Sequence, residues 1–290
     1  MAEIELPSPV QVPAGGLVGR LSGGSLWVGL FIVAGFILVS LAAPFLPIPD
    51  PNVADYAAAL QPPSPAHPFG TDDVGRDLLS RVIWGGRTDL VFGFVTTYVS
   101  LVIGVVLGAV AGYFGGWRET VVMRLVDTMI AFPFIVLVLA IVAIVGPGLA
   151  GLYIGMIVVS WTMYARITHT EMLVLRERQF ILAARTLGYS DARVIVRHAI
   201  PNLLRSNLVF SMSDMVLNVL GLASLSYLGV GVQPPTPEWG VLIAGGQTYL
   251  LTGWWISTLP GLVIVVMGVG FSLLGDGLAD RLSVSTARAA

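Results

Sequence analysis

Long apolar segments separated by short polar ones run through most of the chain. A membrane-spanning helix needs about 20 consecutive, mostly apolar residues, and six segments are close to that length or longer. They are residues 26–46, 88–113, 120–146, 150–168, 206–230 and 256–275. A Gly-Pro-Gly turn at 146–148 separates the third segment from the fourth. The pattern predicts an all-α, polytopic membrane protein with six transmembrane helices.

The composition supports a membrane protein and excludes several kinds of chemistry. Only 11% of the residues are charged, against about 25% in soluble domains, which is too few to cover a water-facing surface. A net charge of −2 gives no indication of nucleic-acid binding. The absence of Lys excludes a Walker A loop and Schiff-base chemistry, and the absence of Cys excludes disulfides and thiolate sites. The three histidines, His67, His169 and His198, do not have metal-ligand spacing.

The placement of arginine predicts the orientation in the membrane. All fifteen basic residues are Arg, and cytoplasmic loops carry the excess of positive charge. With the N-terminus inside, only Arg76, Arg81 and Arg87 lie on the outer side. We therefore expect both termini in the cytoplasm and the protein in the plasma (inner) membrane. Because Glu3 and Glu5 replace the usual basic start and the first apolar run is long, that run is expected to be an uncleaved span rather than a signal peptide.

The predicted organisation follows from these spans and this orientation. It comprises a cytoplasmic tail (1–25), a first transmembrane helix (26–46), an extracytoplasmic segment (47–87), a core of five transmembrane helices (88–282) and a cytoplasmic tail (283–290). The core includes a cytoplasmic loop at 169–205. In the extracytoplasmic segment, Thr71 is expected to cap a short amphipathic helix whose apolar stripe includes Val74, Leu78 and Val82.

The cytoplasmic loop is predicted to fold into two helices around a glycine. Residues 171–187 hold good helix formers without Gly or Pro, so a helix is expected there. Gly188 then provides a helix stop with positive φ. Ser190 can cap a short second helix with Asp191 in its first turn, and Pro201 marks the next boundary. A plainer interpretation is a basic loop that the positive-inside rule alone holds at the membrane surface.

The spacing of small residues in this loop is specific. An Ala-Ala pair at 183–184 precedes Gly188, and Pro201 follows thirteen positions later. This spacing resembles the cytoplasmic coupling loop of ABC-importer permeases, the "EAA" motif. Leu182 stands where that motif usually has Glu, and His198 where it has Ile. The peptide branch of the family has both departures, so they narrow the resemblance to that branch.

Three further strings resemble the same branch, the C-type permease subunit of dipeptide, oligopeptide and nickel importers. They are HPFGTDDVGRDLLSR at 67–81, LGVGVQPPTPEWG at 228–240 and LLGDGLADRL at 273–282. The resemblance covers most of the chain and implies a type I ABC-importer permease fold. It also implies a subunit that forms half of a translocation pathway and has no catalytic activity of its own.

The resemblance implies partners and coupling residues as well. The expected partners are a homologous B-type permease, two ATPase subunits, an extracytoplasmic substrate-binding protein and membrane lipid, without nucleic acid. No cofactor is expected in this chain, because the ATPase subunits would bind ATP and Mg²⁺. The residues that the resemblance assigns to ATPase coupling are Ala183, Ala184, Gly188, Ser190, Arg193, Arg197, His198 and Pro201.

A few polar residues fall within or near the predicted spans. A charge at the bilayer centre costs about 2.5–3.5 kcal/mol on insertion scales, so such residues usually face protein or water. Asp214 and Asn218 are therefore candidates for lining the pathway and contacting a peptide's charged ends, although pairing inside the protein would explain Asp214 equally well. Asp127 is expected to pair with Arg124, one helical turn earlier.

Other functions remain open at the level of sequence. The same architecture would serve an importer of nickel, glutathione, a polyamine or an opine, because the binding protein normally selects the cargo. A stand-alone secondary transporter is disfavoured, since six spans without an evident inverted repeat are few for such a protein. An intramembrane enzyme is disfavoured because no catalytic constellation stands at suitable spacing.

Overall fold

A computed structural model of the protein describes residues 18–287, and the described residues are almost entirely helical. An isolated bridge between Thr71 and Asp77 is the extent of β structure in that range. The helices are α1 (Val18–Ala42), α2 (Leu78–Phe114), α3 (Gly116–Ile130), α4 (Phe134–Val145), α5 (Leu149–Leu175), α6 (Gln179–Thr186), α7 (Asp191–Arg193), α8 (Ile200–Tyr227), α9 (Trp239–Gly245) and α10 (Trp255–Ala287), with a π-helical turn at Val194–Ala199 and 3₁₀ turns at Ala43–Phe45, Tyr56–Ala58 and Gln247–Tyr249.

Five helical segments within the described range are long and apolar enough to cross a bilayer. They are Gly24–Phe45, Leu78–Phe114, Leu149–Leu175, Asp191–Tyr227 and Trp255–Leu282. The predicted third span, 120–146, is not one straight helix, because α3 and α4 meet at an angle of 98°. Pro133 lies at this break and caps α4. Proline lacks an N–H and disfavours helical geometry in the residue before it, so the apolar run contains a bend.

The ends of the chain differ from the predicted tails. Helix α1 begins at Val18, inside the segment predicted as a cytoplasmic tail, and α10 continues to Ala287, through most of the predicted C-terminal tail. The rest of those two tails, 1–17 and 288–290, lies outside the described residues. Hydropathy marks the part of a helix that lies in lipid, and these helices continue beyond that part.

The predicted amphipathic helix capped by Thr71 does not form, and this prediction was wrong. Helix α2 begins at Leu78 instead, with the Asp77 side chain accepting from a backbone N–H in its first turn. Gly70 and Gly75 both have positive φ, +75° and +82°, which interrupts any helix between them. The Thr71 hydroxyl, no longer a cap, donates to the Ala58 carbonyl oxygen at 2.5 Å.

A short helix, α9, packs against the first turns of α2 at one end of the bundle. Its Trp239 is almost fully buried, and the indole N–H donates to the Val82 carbonyl oxygen of α2 at 2.9 Å. The Trp239 backbone N–H donates to Asp89 Oδ2 at 3.2 Å. The Glu238 carboxylate accepts from two backbone N–H groups in the first turn of α9. This arrangement gives a structural role to the end of the 228–240 string.

The most extensive helix contact among the described residues joins α2 to α5. It contains three glycines at four-residue spacing, Gly104, Gly108 and Gly112, which we call the glycine seam. Each lies against α5, where an added Cβ would meet backbone or side-chain atoms of Tyr164, Ala165, Thr168, His169 or Met172. Lipid provides no hydrophobic driving force between helices, so close approach of backbones at small residues is a main source of packing energy. The glycine seam therefore fixes α2 on α5 from mid-membrane to the end of α2.

We predict that Gly108→Ala destabilises the protein. The added Cβ would lie about 3.0 Å from Ala165 Cα and Thr168 Cβ and closer still to the Ala165 carbonyl oxygen. Because backbone cannot move cheaply, overpacking of this kind costs about 1–3 kcal/mol. The expected result is a thermal unfolding midpoint several degrees lower than that of the wild type. A fluorescence-based stability assay of the protein in detergent measures it.

Gly35→Ala in α1 is the matched control, since a Cβ there meets nothing within 4 Å. It should leave the midpoint unchanged or raise it slightly. Equal midpoints for the two variants would contradict the close contact between α2 and α5.

Candidate functional site

The loop that the sequence predicts to be cytoplasmic forms a compact projection, the knob, which we define as residues 176–201. Gly188 ends the first helix of the knob with a φ of +79°. The Ser190 hydroxyl oxygen accepts from the Arg193 backbone N–H at 3.4 Å and caps α7, with Asp191 in the first turn. The predicted glycine stop, serine cap and acidic first turn are therefore confirmed.

The predicted continuous helix over 171–187 is wrong, because a turn at 176–178 separates α5 from α6. Arg176 closes α5, and its guanidinium donates to the Gly112 carbonyl oxygen at 2.9 Å. Arg178 is extended, with a ψ of 143°, and begins α6. The chain changes direction here so that α6 can lie against the end of α2, and no Gly or Pro in the sequence indicates it.

Pro201 lies where the sequence places a boundary, but the chain does not turn there. It stands in the first turn of α8, and because it has no N–H it cannot donate to the helical turn before it. The π-helical turn Val194–Ala199 precedes it and widens the helix next to the proline ring. As a result, Asp191–Tyr227 forms one helical segment of 37 residues that joins the knob to the membrane.

An apolar underside holds the knob on the bundle. Within the knob, five side chains are buried and point towards α2 and α5. They are Ile181, Ala184, Val194, Ile195 and Ala199. They pack in one cluster with Ala109 and Tyr113 of α2 and Met172 of α5. Ala184 is thus a packing residue, whereas Ala183 is exposed.

Tyr113 links both helices of the knob to the last turn of α2. Its hydroxyl donates to Asp191 Oδ1 at 2.8 Å and accepts from Arg185 Nε at 3.0 Å. The Arg185 guanidinium also lies 4.4 Å from the centre of the Tyr113 ring, within cation–π range. Tyr113 was not among the residues predicted from the sequence. An aromatic residue at the end of a span usually indicates only a lipid interface.

The outer surface of the knob is both basic and apolar. Leu187 is 72% exposed and Val196 65% exposed. Around them the exposed members of the predicted coupling set are Ala183, Gly188, Ser190, Arg193, Arg197 and Pro201. His198 is half-buried and stacks on Tyr189 with ring centres 5.8 Å apart. A surface of exposed large apolar residues among arginines is suited to docking in an acidic groove on another protein.

Asp214 and Asn218 lie one turn apart on α8 in a buried polar cluster. Asp214 Oδ2 accepts from the Tyr164 hydroxyl at 2.9 Å and from Asn218 Nδ2 at 2.9 Å. Asn218 Nδ2 also donates to Thr97 Oγ1 at 2.8 Å, and its Oδ1 accepts from the Ser160 hydroxyl at 3.3 Å. The cluster therefore joins α2, α5 and α8 within the membrane.

The same two residues line a cavity of about 560 Å³ beside the bend between α3 and α4. The other lining residues are Met129, Ile130, Phe132, Phe134, Ile135, Val159, Ser160, Thr162, Met163, Phe210, Leu217, Leu220, Gly221 and Ser224. None of them is basic, so within the described residues the Asp214 carboxylate has neutral hydrogen-bond donors only. A carboxylate at the edge of an apolar cavity favours a cation.

Asp127 does not pair with Arg124, and that prediction was wrong. Its carboxylate forms an ion pair with Arg166 of α5. The bend after α3 brings the helix across α5, so the partner comes from another helix rather than from the preceding turn. Thr97, Ser160 and Tyr164 were also missed, because single hydroxyl groups hardly change the hydropathy of a span.

Sequence comparison places the chain among membrane components of transport systems. Residues 104–287 match the family described as "Binding-protein-dependent transport system inner membrane component". The dipeptide transport system permease protein DppC of Alkalihalophilus pseudofirmus is 38% identical over 255 residues, which cover 88% of this chain and 84% of that protein. The probable D,D-dipeptide transport system permease protein DdpC of Escherichia coli is 38% identical over 267 residues, 92% of this chain and 90% of that protein.

A third relative has a different name. The glutathione transport system permease protein GsiD of Pectobacterium atrosepticum is 36% identical over 254 residues, 88% of this chain and 84% of that protein. In fold, the chain is similar to one chain of the MetNI methionine ABC transporter in an inward-facing conformation, with a TM-score of 0.56 and 20% identity over 72% of this chain and 97% of that chain. This similarity confirms the predicted all-α permease fold.

The family match extends from the last third of α2 through the knob to α10, and the curated relatives align over nearly the whole chain. The chain therefore belongs to the family of inner-membrane components of binding-protein-dependent transport systems, as a non-catalytic, multi-pass permease subunit of the ABC-importer type.

Proposed function

We propose that this chain is the C-type permease subunit of an ATP-driven importer of dipeptides or short oligopeptides. The observation that carries the proposal is the 36–38% identity, over most of the chain, to relatives named as dipeptide permeases. The basic and apolar outer surface of the knob supports it. A B-type permease would form the other half of the pathway. An extracytoplasmic binding protein would deliver cargo, and two ATPase subunits would bind ATP and Mg²⁺.

The proposed orientation has both termini in the cytoplasm, which puts the knob on the side of the ATPase subunits. It is supported by the arginines, of which all but three lie on that side. Four arginines on the exposed parts of the knob, Arg178, Arg185, Arg193 and Arg197, favour an acidic groove as the docking partner. Leu187 and Val196 would be buried in that groove.

Coupling would pass along the helix that starts in the knob. Asp191–Tyr227 is continuous, and Asp214 lies about 35 Å along it from Asp191 at 1.5 Å per residue. When the ATPase subunits close, displacement of the knob would move this helix as a rigid element. Asp214 and the wall of the cavity would then move relative to the bend between α3 and α4. This would open or close the pathway.

In this proposal, Asp214 and Asn218 line the pathway. A dipeptide carries an ammonium group at one end, and Asp214 has no basic partner within the described residues. The apolar residues around it would accept side chains of varied shape without strong binding. Such a lining suits a pathway that cargo must leave as readily as it enters.

Glutathione is a second candidate cargo. The observation that favours it is the 36% identity to glutathione permeases from several bacteria. Glutathione is itself a small peptide with a free ammonium group, so it would make the same contact with Asp214. Uptake assays with the cognate binding protein would separate the two cargoes.

We predict that Gly188→Asp weakens coupling while leaving the protein inserted in the membrane. A Cβ at Gly188 meets nothing within 4 Å, but the φ of +79° strains any side chain there. Aspartate adopts positive φ more readily than most residues, so the backbone strain is small, while a negative charge enters a basic docking surface. Loss of roughly 1.4 kcal/mol of docking energy would lower ATPase binding on the order of tenfold. The measurement is ATP-dependent dipeptide uptake and binding-protein-stimulated ATPase activity in proteoliposomes.

Gly188→Asn is the matched control, because asparagine has nearly the shape of aspartate and also tolerates positive φ. It should retain most of the activity. If uptake and ATPase activity fall equally in both variants, the charge of the surface does not matter. If they fall in neither variant, the knob is not the coupling element.

We predict that Asp214→Asn reduces cargo uptake without reducing ATPase stimulation. The amide oxygen still accepts from the Tyr164 hydroxyl, so the cluster is retained while its charge is removed. The initial rate of uptake of a dipeptide should fall roughly tenfold, if the contact with the ammonium group is worth about 1.5 kcal/mol. Ser213→Ala, on the exposed side of the same turn, should behave like the wild type. Unchanged uptake in Asp214→Asn would exclude a contact with cargo.

A further inference from the structure

Helix α1 is attached to the bundle mainly through α10. Gly29 approaches the α10 backbone at Gly270 and Leu274, and Gly277 of α10 approaches Leu26 of α1. Near the outer end of α1, contact with α2 is close, since a Cβ at Gly86 would lie 2.6 Å from the Ser40 hydroxyl oxygen. The two helices separate below this point.

The separation leaves a second cavity, the α1 slot, of about 450 Å³ between α1, α2, α8 and α10. It is lined by Val33, Ile37, Ser40, Leu41, Arg87, Leu90, Val91, Phe94, Tyr98, Met212, Met215, Phe271 and Leu274. Several lining side chains are also exposed on the lipid-facing side, including Val91 at 52% and Phe94 at 59%. The slot is therefore an apolar groove that opens sideways into the bilayer.

Arg87 lies at one end of the α1 slot and is the only charged residue in its lining. Within residues 18–287 its guanidinium has neither an ion-pair nor a hydrogen-bond partner; it lies over the Trp84 ring at 5.2 Å. Two neighbouring arginines, by contrast, have an acidic partner: Arg76 pairs with Asp72 at 2.7 Å, and Arg81 Nε lies 3.6 Å from the same carboxylate. Arg87 is thus a cation available to a ligand.

The length of the α1 slot matches the hydrocarbon thickness of one membrane leaflet. Along α2 the slot extends from Arg87 to Tyr98, which is about 16 Å at 1.5 Å per residue. Half of a hydrocarbon core of about 30 Å is about 15 Å. The Arg87 side chain extends towards Trp84, one turn nearer the start of α2, so the charge is at the membrane–water boundary.

We infer that the α1 slot binds one anionic phospholipid, with its headgroup phosphate on Arg87 and an acyl chain between α1 and α2. Arginine binds phosphate with charge-assisted hydrogen bonds, and basic positions between transmembrane helices favour anionic headgroups. The acyl chain fills a groove that no described side chain fills. The bound lipid would hold α1 against α2 as well as α10.

The test is native mass spectrometry of the purified transporter, delipidated and titrated with phosphatidylglycerol or phosphatidylcholine of identical acyl chains. Wild-type protein should retain one phosphatidylglycerol more tightly than phosphatidylcholine. Arg87→Gln should weaken phosphatidylglycerol retention roughly tenfold, the effect of losing one charge-assisted hydrogen bond. Neither cargo nor ATP is needed, so the result is independent of the proposed transport function.

Two further variants make the outcome specific. Arg118→Gln removes an exposed arginine that also lies over an aromatic ring, at 4.3 Å from the Phe114 centroid, but in α3, just beyond the opposite end of α2. It should leave retention unchanged. Val91→Trp fills the slot from its exposed side and should weaken the retention of both phosphatidylglycerol and phosphatidylcholine.

No preference for phosphatidylglycerol in the wild type, or equal retention by the Arg87→Gln and Arg118→Gln variants, would overturn the inference. So would retention by the isolated chain that disappears in the assembled transporter, because another subunit would then occupy the slot.

Discussion

The close contact between α2 and α5 determines where the functional parts of this permease lie. In a bilayer, apolar side chains gain little free energy by moving from lipid into a helix contact, so helices associate where small residues let their backbones meet. The glycine seam provides this contact and continues to Gly112, whose carbonyl oxygen accepts from Arg176 at the start of the knob. The next residue, Tyr113, bonds to both knob helices. A packing contact inside the membrane thus positions the proposed docking surface outside it.

The proposed transport cycle depends on two connections between the knob and the membrane. Tyr113 connects the knob to α2, which the glycine seam holds on α5. The segment Asp191–Tyr227 connects the knob to Asp214 and the cavity through a continuous helix. One connection is fixed to the core and the other enters the wall of the pathway. Displacement of the knob would therefore change the distance between that wall and the core.

The sequence predicts the fold class and the turn of the knob, because Gly188 and Ser190 act through their own backbone and neighbours. Features that depend on contacts between distant helices were not predictable in the same way. The 98° bend differs from these features, because Pro133 is a local signal for it that the average hydropathy of the apolar run conceals. The break after Arg176 has no Gly or Pro to indicate it, and the side chains around Asp214 come from helices whose relative positions only the structure gives. The four-residue spacing of the glycine seam is visible in the sequence, but its partner helix is not.

If this chain works as one subunit of an ATP-driven importer, its partners should accompany it when the tagged protein is purified in mild detergent from its native host. We expect recovery of a second, homologous permease together with ATPase chains. Repeated recovery of the intact, folded chain alone, with uptake that follows an ion gradient rather than ATP, would contradict it.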